Sequence, residues 1–134
     1  MDANKMVEEI LSELPYTVVF KNPECKVNVP VISFFTLSEV VSMMADNRVL
    51  LKDITVQIDV WAKNPMQCRG IEDEISEIMD KNGWMKIFAM DNEKKSEVFN
   101  RSVKYVKVFT MDEWGGLNYD KTITNNWCRQ VYFL

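Results

Sequence analysis

Apolar residues recur at helical spacing from the start of the chain, where Met6, Val7, Ile10, Leu11 and Leu14 are interleaved with Glu8, Glu9 and Glu13. The pattern predicts an amphipathic helix over Asp2 to Leu14, stopped by Pro15. Tyr16 to Phe20 is β-branched and aromatic and reads as a short strand, followed by the turn-prone Lys21-Asn22-Pro23-Glu24. Val27 to Leu37 reads as a second extended segment, with Pro30 near its beginning, where a missing N–H is tolerated. Ser38 to Arg48 has no clear period, because Val40, Val41, Met43 and Met44 suit a helical turn or a strand, and it is read as a mobile connection. Ile54 to Ala62 alternates strictly: Ile54, Val56, Ile58, Val60 and Ala62 face one way, and Thr55, Gln57, Asp59 and Trp61 the other. One face of that strand is core, and the other is polar with one large aromatic.

Asn64-Pro65-Met66-Gln67 is a helix start, with Asn64 as N-cap, Pro65 at the first helical position and Gln67 placed to close a capping box. The helix that follows has a buried stripe of Cys68, Ile71, Ile75, Ile78 and Met79, an exposed side of Glu72, Asp73, Glu74 and Glu77, and Asn82-Gly83 as its stop. Trp84 to Met90 and Glu97 to Phe109 read as two strands of a hairpin, joined by a polar turn over Asp91 to Ser96. After Asp112 the chain turns loop-like through Trp114-Gly115-Gly116-Leu117-Asn118, then β-branched and aromatic from Thr122 to Leu134. No repeat, low-complexity tract or Pro/Ser linker marks a second domain. The expected architecture is one α+β domain: a mixed or antiparallel sheet packed against two helices, with 112–134 a candidate C-terminal arm or extra strand.

Length and composition narrow the function classes. A chain of 134 residues with 47% hydrophobic content builds one core. The balance of 20 acids against 16 bases argues against a binder of nucleic-acid duplex, which needs a basic face, and no Lys/Arg run supports a local basic patch. No stretch approaches the length of apolar residues that crosses a bilayer, and the first residues lack the features of a signal peptide, so the expectation is a protein made and used on the cytoplasmic side. Cys25, Cys68 and Cys128 are widely spaced and odd in number, which predicts reduced thiols rather than a disulfide framework or a zinc site.

The chain has no histidine, which removes the usual general base at neutral pH and with it the familiar nucleophilic triads. Asp59 with Glu72, Asp73 or Glu77 is the one carboxylate set that could hold Mg²⁺ as in a nuclease. Acids in the first turns of a helix and along its exposed face explain most of that set without catalysis, but an acid in mid-strand such as Asp59 must pair or face solvent. Gly115-Gly116 precedes neither a lysine nor a helix and is not a phosphate loop. Trp61, Trp84, Trp114 and Trp127 serve core packing or contact with a partner, and Met43 and Met44 beside a loop suit an adaptable contact surface.

The run Ile54-Thr55-Val56-Gln57-Ile58-Asp59-Val60-Trp61-Ala62-Lys63 resembles the most recognisable segment of the phage tail-completion, or tail-to-head joining, proteins. Its setting agrees: an early helix, a strand with a proline and aromatics (Pro30 to Phe35), the Ile58-Asp59-Val60-Trp61 strand, a helix over Ile71 to Lys81, Gly83-Trp84, and a closing hairpin of Trp84 to Met90 and Ser102 to Phe109. The likeness spans Met1 to Phe109. The family's closing strand often carries a histidine and an arginine where this chain has Arg101-Ser102-Val103 and Val108-Phe109, and the segment after Asp112 exceeds the usual end.

The resemblance implies a non-enzymatic structural protein of the virion, a ring subunit, hexameric, that joins the tail to the head connector, with host cytoplasm as its place of assembly. Its implied partners are further copies of itself, the head connector or adaptor protein, and the tail tube or tail-terminator protein. DNA passes through such a ring without specific binding, in keeping with a net charge of -4. No cofactor, metal or membrane is expected. The candidate interface residues are Met43, Met44, Trp61, Trp114, Leu117, Tyr119, Trp127, Tyr132 and Phe133, and the segment Leu117 to Leu134 either reaches a neighbour as an arm or completes its own sheet. Three alternatives stand beside this reading: a tail terminator capping the tube, a small metal-dependent nuclease, and a regulatory binding domain that enters no particle.

Overall fold

The computed structural model describes residues 2–21, 28–95 and 97–110, with 93–95 given by their backbone alone. In chain order the elements are α1 (Ala3–Leu11), β1 (Thr17–Phe20), β2 (Val31–Ala45), β3 (Arg48–Ala62), α2 (Pro65–Lys81), β4 (Met85–Lys95) and β5 (Val98–Thr110). The strands form one five-stranded sheet in the order β1-β2-β3-β5-β4. β1 runs parallel to β2, and the other neighbours are antiparallel, so the sheet is mixed and the α+β expectation holds.

Both helices lie on one face of the sheet, α1 against β2 and β3, α2 against β3, β5 and β4. That face carries the even-numbered side chains of β3, and Ile54, Val56, Ile58, Val60 and Ala62 are wholly buried there. They meet Val7 and Leu11 of α1 and Cys68, Ile71, Ile75 and Met79 of α2, while Trp84 closes one end edge-on to Phe109, with ring centroids 5.9 Å apart.

Local signals set the ends of α2. The Asn64 side chain accepts from the Gln67 N–H at 2.8 Å, and the Gln67 side chain reaches back to the N–H of Lys63, one residue before the cap, at 3.1 Å. At the other end the Trp84 N–H donates to the Met79 carbonyl and the Gly83 N–H to that of Asp80, a Schellman closure. It needs a left-handed residue at position 83, where Gly83 has φ +87°.

Four sequence expectations are corrected. The first helix ends at Leu11 rather than Leu14: the Ser12 hydroxyl donates to the Glu9 carbonyl, Leu14 N–H bonds to Leu11 in a tighter turn, and Pro15 steers Leu14 out of helical backbone. Ser38 to Arg48 is not a mobile connection but the outer half of a long hairpin, turned at Asp46-Asn47. Asp91 to Lys95, expected as a polar turn, belongs to β4, an edge strand on which polar residues cost little. Glu72, assigned to the exposed side of its helix, is buried.

Candidate assembly surface

The outer half of the β2–β3 hairpin projects beyond the core as an arm, a different segment from the C-terminal arm expected at 112–134, which lies outside the described residues. From Glu39 to Arg48 every residue is exposed, including Met43 at 51% and Met44 at 59%, with Val40 and Val41 beside them. Asp46 and Asn47 make the reversal with φ of 52° and 62°, a left-handed pair that both residue types tolerate and that suits the twist of a two-residue hairpin turn. Register shifts between Thr36 and Ser38, Val41 and Met43, and Met43 and Met44 break the alternation along the arm. Such irregularities twist the ribbon and discourage edge pairing while leaving apolar side chains in solvent.

The second feature is the face of the sheet that the helices leave bare. Gln57, Asp59 and Trp61 of β3, Phe88, Met90 and Asn92 of β4, and Asn100, Ser102 and Lys104 of β5 line a groove of about 330 Å³ there. Asp59 lies at its floor and is only 3% exposed. The Ser102 hydroxyl donates to its Oδ1, and the Gln57 amide donates to both oxygens at 3.2 and 3.3 Å. Asn92 in turn donates to Ser102 at 2.7 Å and to the Asn100 side chain, and Asn100 donates to the Val60 carbonyl at 3.2 Å. Trp61 forms one wall, its indole N–H anchored on the Ser33 hydroxyl at 2.9 Å. Lys104 places its ammonium over the Phe88 ring, 4.8 Å from the centroid.

The helix-covered face holds its own acid. Glu72 of α2 accepts from Lys86 of β4 at 2.6 Å and from Arg101 of β5, and Arg101 continues to Asp91 at 3.0 Å, which also binds Arg69 at 3.3 Å. Burial raises the cost of ionising Glu72, but hydrogen bonds and charge from the two cations outweigh it and hold the carboxyl below its ordinary range. Hydrogen bonding to Arg101 likewise lowers Asp91. Nearby, burial pushes the Tyr105 phenol up to about 12, against the opposing hydrogen bond with Ser76 at 2.8 Å.

Asp59 and Glu72 thus sit on opposite faces of the sheet, which separates the carboxylates that a nuclease reading would pair. Among the described residues no three acidic, cysteine or histidine side chains converge as a metal site needs, and no helix is long and apolar enough to cross a membrane. Cys68 is buried, and burial raises its thiol pKa. No protein-family model matches the chain, and no curated protein matches its sequence.

Of the sequence-derived interface candidates, Met43 and Met44 stand on the arm and Trp61 lines the groove. Trp114, Leu117, Tyr119, Trp127, Tyr132 and Phe133 lie outside the described residues. Sequence reasoning did not find the groove partners Ser102, Asn92 and Asn100, which come from strands far along the chain; the mid-strand acid Asp59 was the one signal pointing to them. It also passed over Arg48 at the arm's tip.

Proposed function

We propose that this chain is a structural ring subunit of a phage neck, joining a completed tail to the head connector and turning over no substrate. The observation that carries the reading is the ordered likeness from the first helix to the closing hairpin, around the Ile58-Asp59-Val60-Trp61 strand, to the tail-completion family. Two surfaces of the subunit support it. A projecting arm with exposed Val40, Met43 and Met44 leaves apolar area that a monomer gains nothing by exposing, and such patches mark protein contacts. A sheet face that neither helix covers gives a second, different surface, and a ring of identical subunits needs two unlike surfaces that mate. The partners in this reading are further copies of the chain, the connector on one side and the tail tube or its terminator on the other, with DNA passing through unbound.

Electron microscopy of a phage lacking this chain tests the reading. DNA-filled heads beside finished, unattached tails are expected, and attached infectious particles reject it. Tails of uncontrolled length in the same micrographs would assign the chain to the terminator position instead. Incubation of the protein with Mg²⁺ or Mn²⁺ and DNA should yield no cleavage; cleavage lost in Asp59→Asn would revive the nuclease.

A further inference from the structure

Asp59 is an acid almost wholly withdrawn from water whose partners are all neutral: one hydroxyl and one amide. Among the described residues no cation comes within ion-pair distance of it. Lys104, the cation of the groove lining, rests on Phe88 instead. The second carboxylate oxygen receives only the long, shared Gln57 contact, so it keeps acceptor capacity toward the groove. A carboxylate at the floor, with the rings of Trp61 and Phe88 on its walls, has the chemistry of a guanidinium site: a charge to pair with and flat π faces to stack on.

The chain has an arginine suited to it. Of the described arginines, Arg69 and Arg101 are held in the Asp91 and Glu72 network, whereas Arg48 makes no ion pair and stands exposed at the tip of the arm beside Met43 and Met44. It cannot serve its own groove. Arg48 and Asp59 lie on the same strand, β3, eleven residues apart, which is about 36 Å at the rise of an extended chain, far beyond the reach of one side chain. An arginine on an apolar-flanked tip and an acid in an aromatic-flanked groove are complementary in charge and in surroundings, and they meet only between two molecules.

We propose that Arg48 of one copy seats in the Asp59 groove of the next, so that the arm links copies head to tail. The contact is heterologous, each copy giving its arm to one neighbour and its groove to the other, which is the geometry that closes a ring when the rotation fits. Met43 and Met44 then pack against the exposed Phe88 and Met90 of the receiving copy. This inference rests on the ring reading above and adds which surfaces mate.

Sedimentation velocity of the full chain over a concentration series tests it. The wild type is expected to self-associate, and Arg48→Glu and Asp59→Asn each to weaken association at least about thirtyfold. Met90→Lys, at an exposed groove position, should act the same way by filling the site with its own cation, which guards against an Asp59 variant that merely fails to fold. An equimolar mixture of Arg48→Glu with Asp59→Asn retains one good contact per pair and should give dimers that neither variant forms alone. A wild-type chain monomeric at every concentration, or an Arg48→Glu variant associating as the wild type does, overturns the contact. Neither result touches the ring reading, which is decided separately by whether tails attach in the phage lacking the chain.

Discussion

Glu72 and Asp59 are both acids buried in the same sheet-and-helix layers, one on each face of the sheet, and they are compensated in opposite ways. Glu72, 4% exposed, has Lys86 and Arg101 supplied by its own fold. Asp59, at 3%, has hydroxyl and amide donors and, among the described residues, no cation. An ionised carboxylate removed from water is costly unless compensated. Where the compensation is local and complete, as at Glu72, the acid is part of what holds the two layers together. Where it is partial and the acid lines a groove, as at Asp59, a carboxylate oxygen with spare acceptor capacity faces the groove, and the contact proposed above assigns it to a neighbour's arginine. The two faces of β3 repeat the contrast: its even-numbered residues make a dry core, and its odd-numbered residues make a polar floor.

Truncation on the two faces should separate them most strongly. Ile58→Ala leaves a cavity in a site with no exposure and should cost about 2–5 kcal/mol by denaturant unfolding. Gln57→Ala, its immediate neighbour on the groove side, should cost about 1 kcal/mol, the worth of its hydrogen bonds to Asp59. Equal losses would mean that the bare face is as much core as the covered one.

Glu72→Gln comes next, at about 2 kcal/mol, less than a fully enclosed ion pair because Lys86 is 37% exposed. Its pH dependence identifies the cause. The carboxyl is held below its ordinary value of 4.5, so the stability it contributes is present above that pH and is lost as pH falls through the lowered value in the folded state. The gap between wild type and Glu72→Gln should therefore narrow below pH 4.5, and a gap constant into acid would deny the ion pairs their role.

At the alkaline end Tyr105 reports on the same covered face. Its pKa is raised from 10.0 to about 12, so the folded state holds the proton more tightly and stability falls as pH rises through that window. Tyr105→Phe should cost about 1 kcal/mol at neutral pH, from the lost contact with Ser76, and should remove Tyr105's share of the alkaline fall. A fall unchanged in the variant would place its origin elsewhere.

The faces also differ in how far the sequence discloses them. The covered face was legible because its residues are periodic: the alternation from Ile54 to Ala62 and the stripe of Cys68, Ile71, Ile75, Ile78 and Met79, of which Ile78 is only partly buried, each follow from one element's own spacing. Glu72 was misplaced because its cations come from β4 and β5, and no local pattern shows where a distant strand will lay a lysine or an arginine. The groove was illegible for the same reason, since Asp59, Ser102 and Asn92 are brought together only by strand register. The arm failed differently. Its residues have strand propensity, but three register shifts within ten residues destroy the two-residue period that would have revealed it.

The arm therefore gives the smallest effect on stability and the sharpest test of what the bare surfaces are for. Replacing Met43 and Met44 together by serine removes apolar side chains that are already half in water and touch no core, so unfolding free energy should change by no more than about 0.5 kcal/mol. If the arm serves assembly, the same pair of changes should abolish attachment of tails in a phage carrying them, with the subunit folded and present at normal level. A large loss of stability would instead show the arm to be packed against its own chain, and its exposed methionines would then need no partner to explain them.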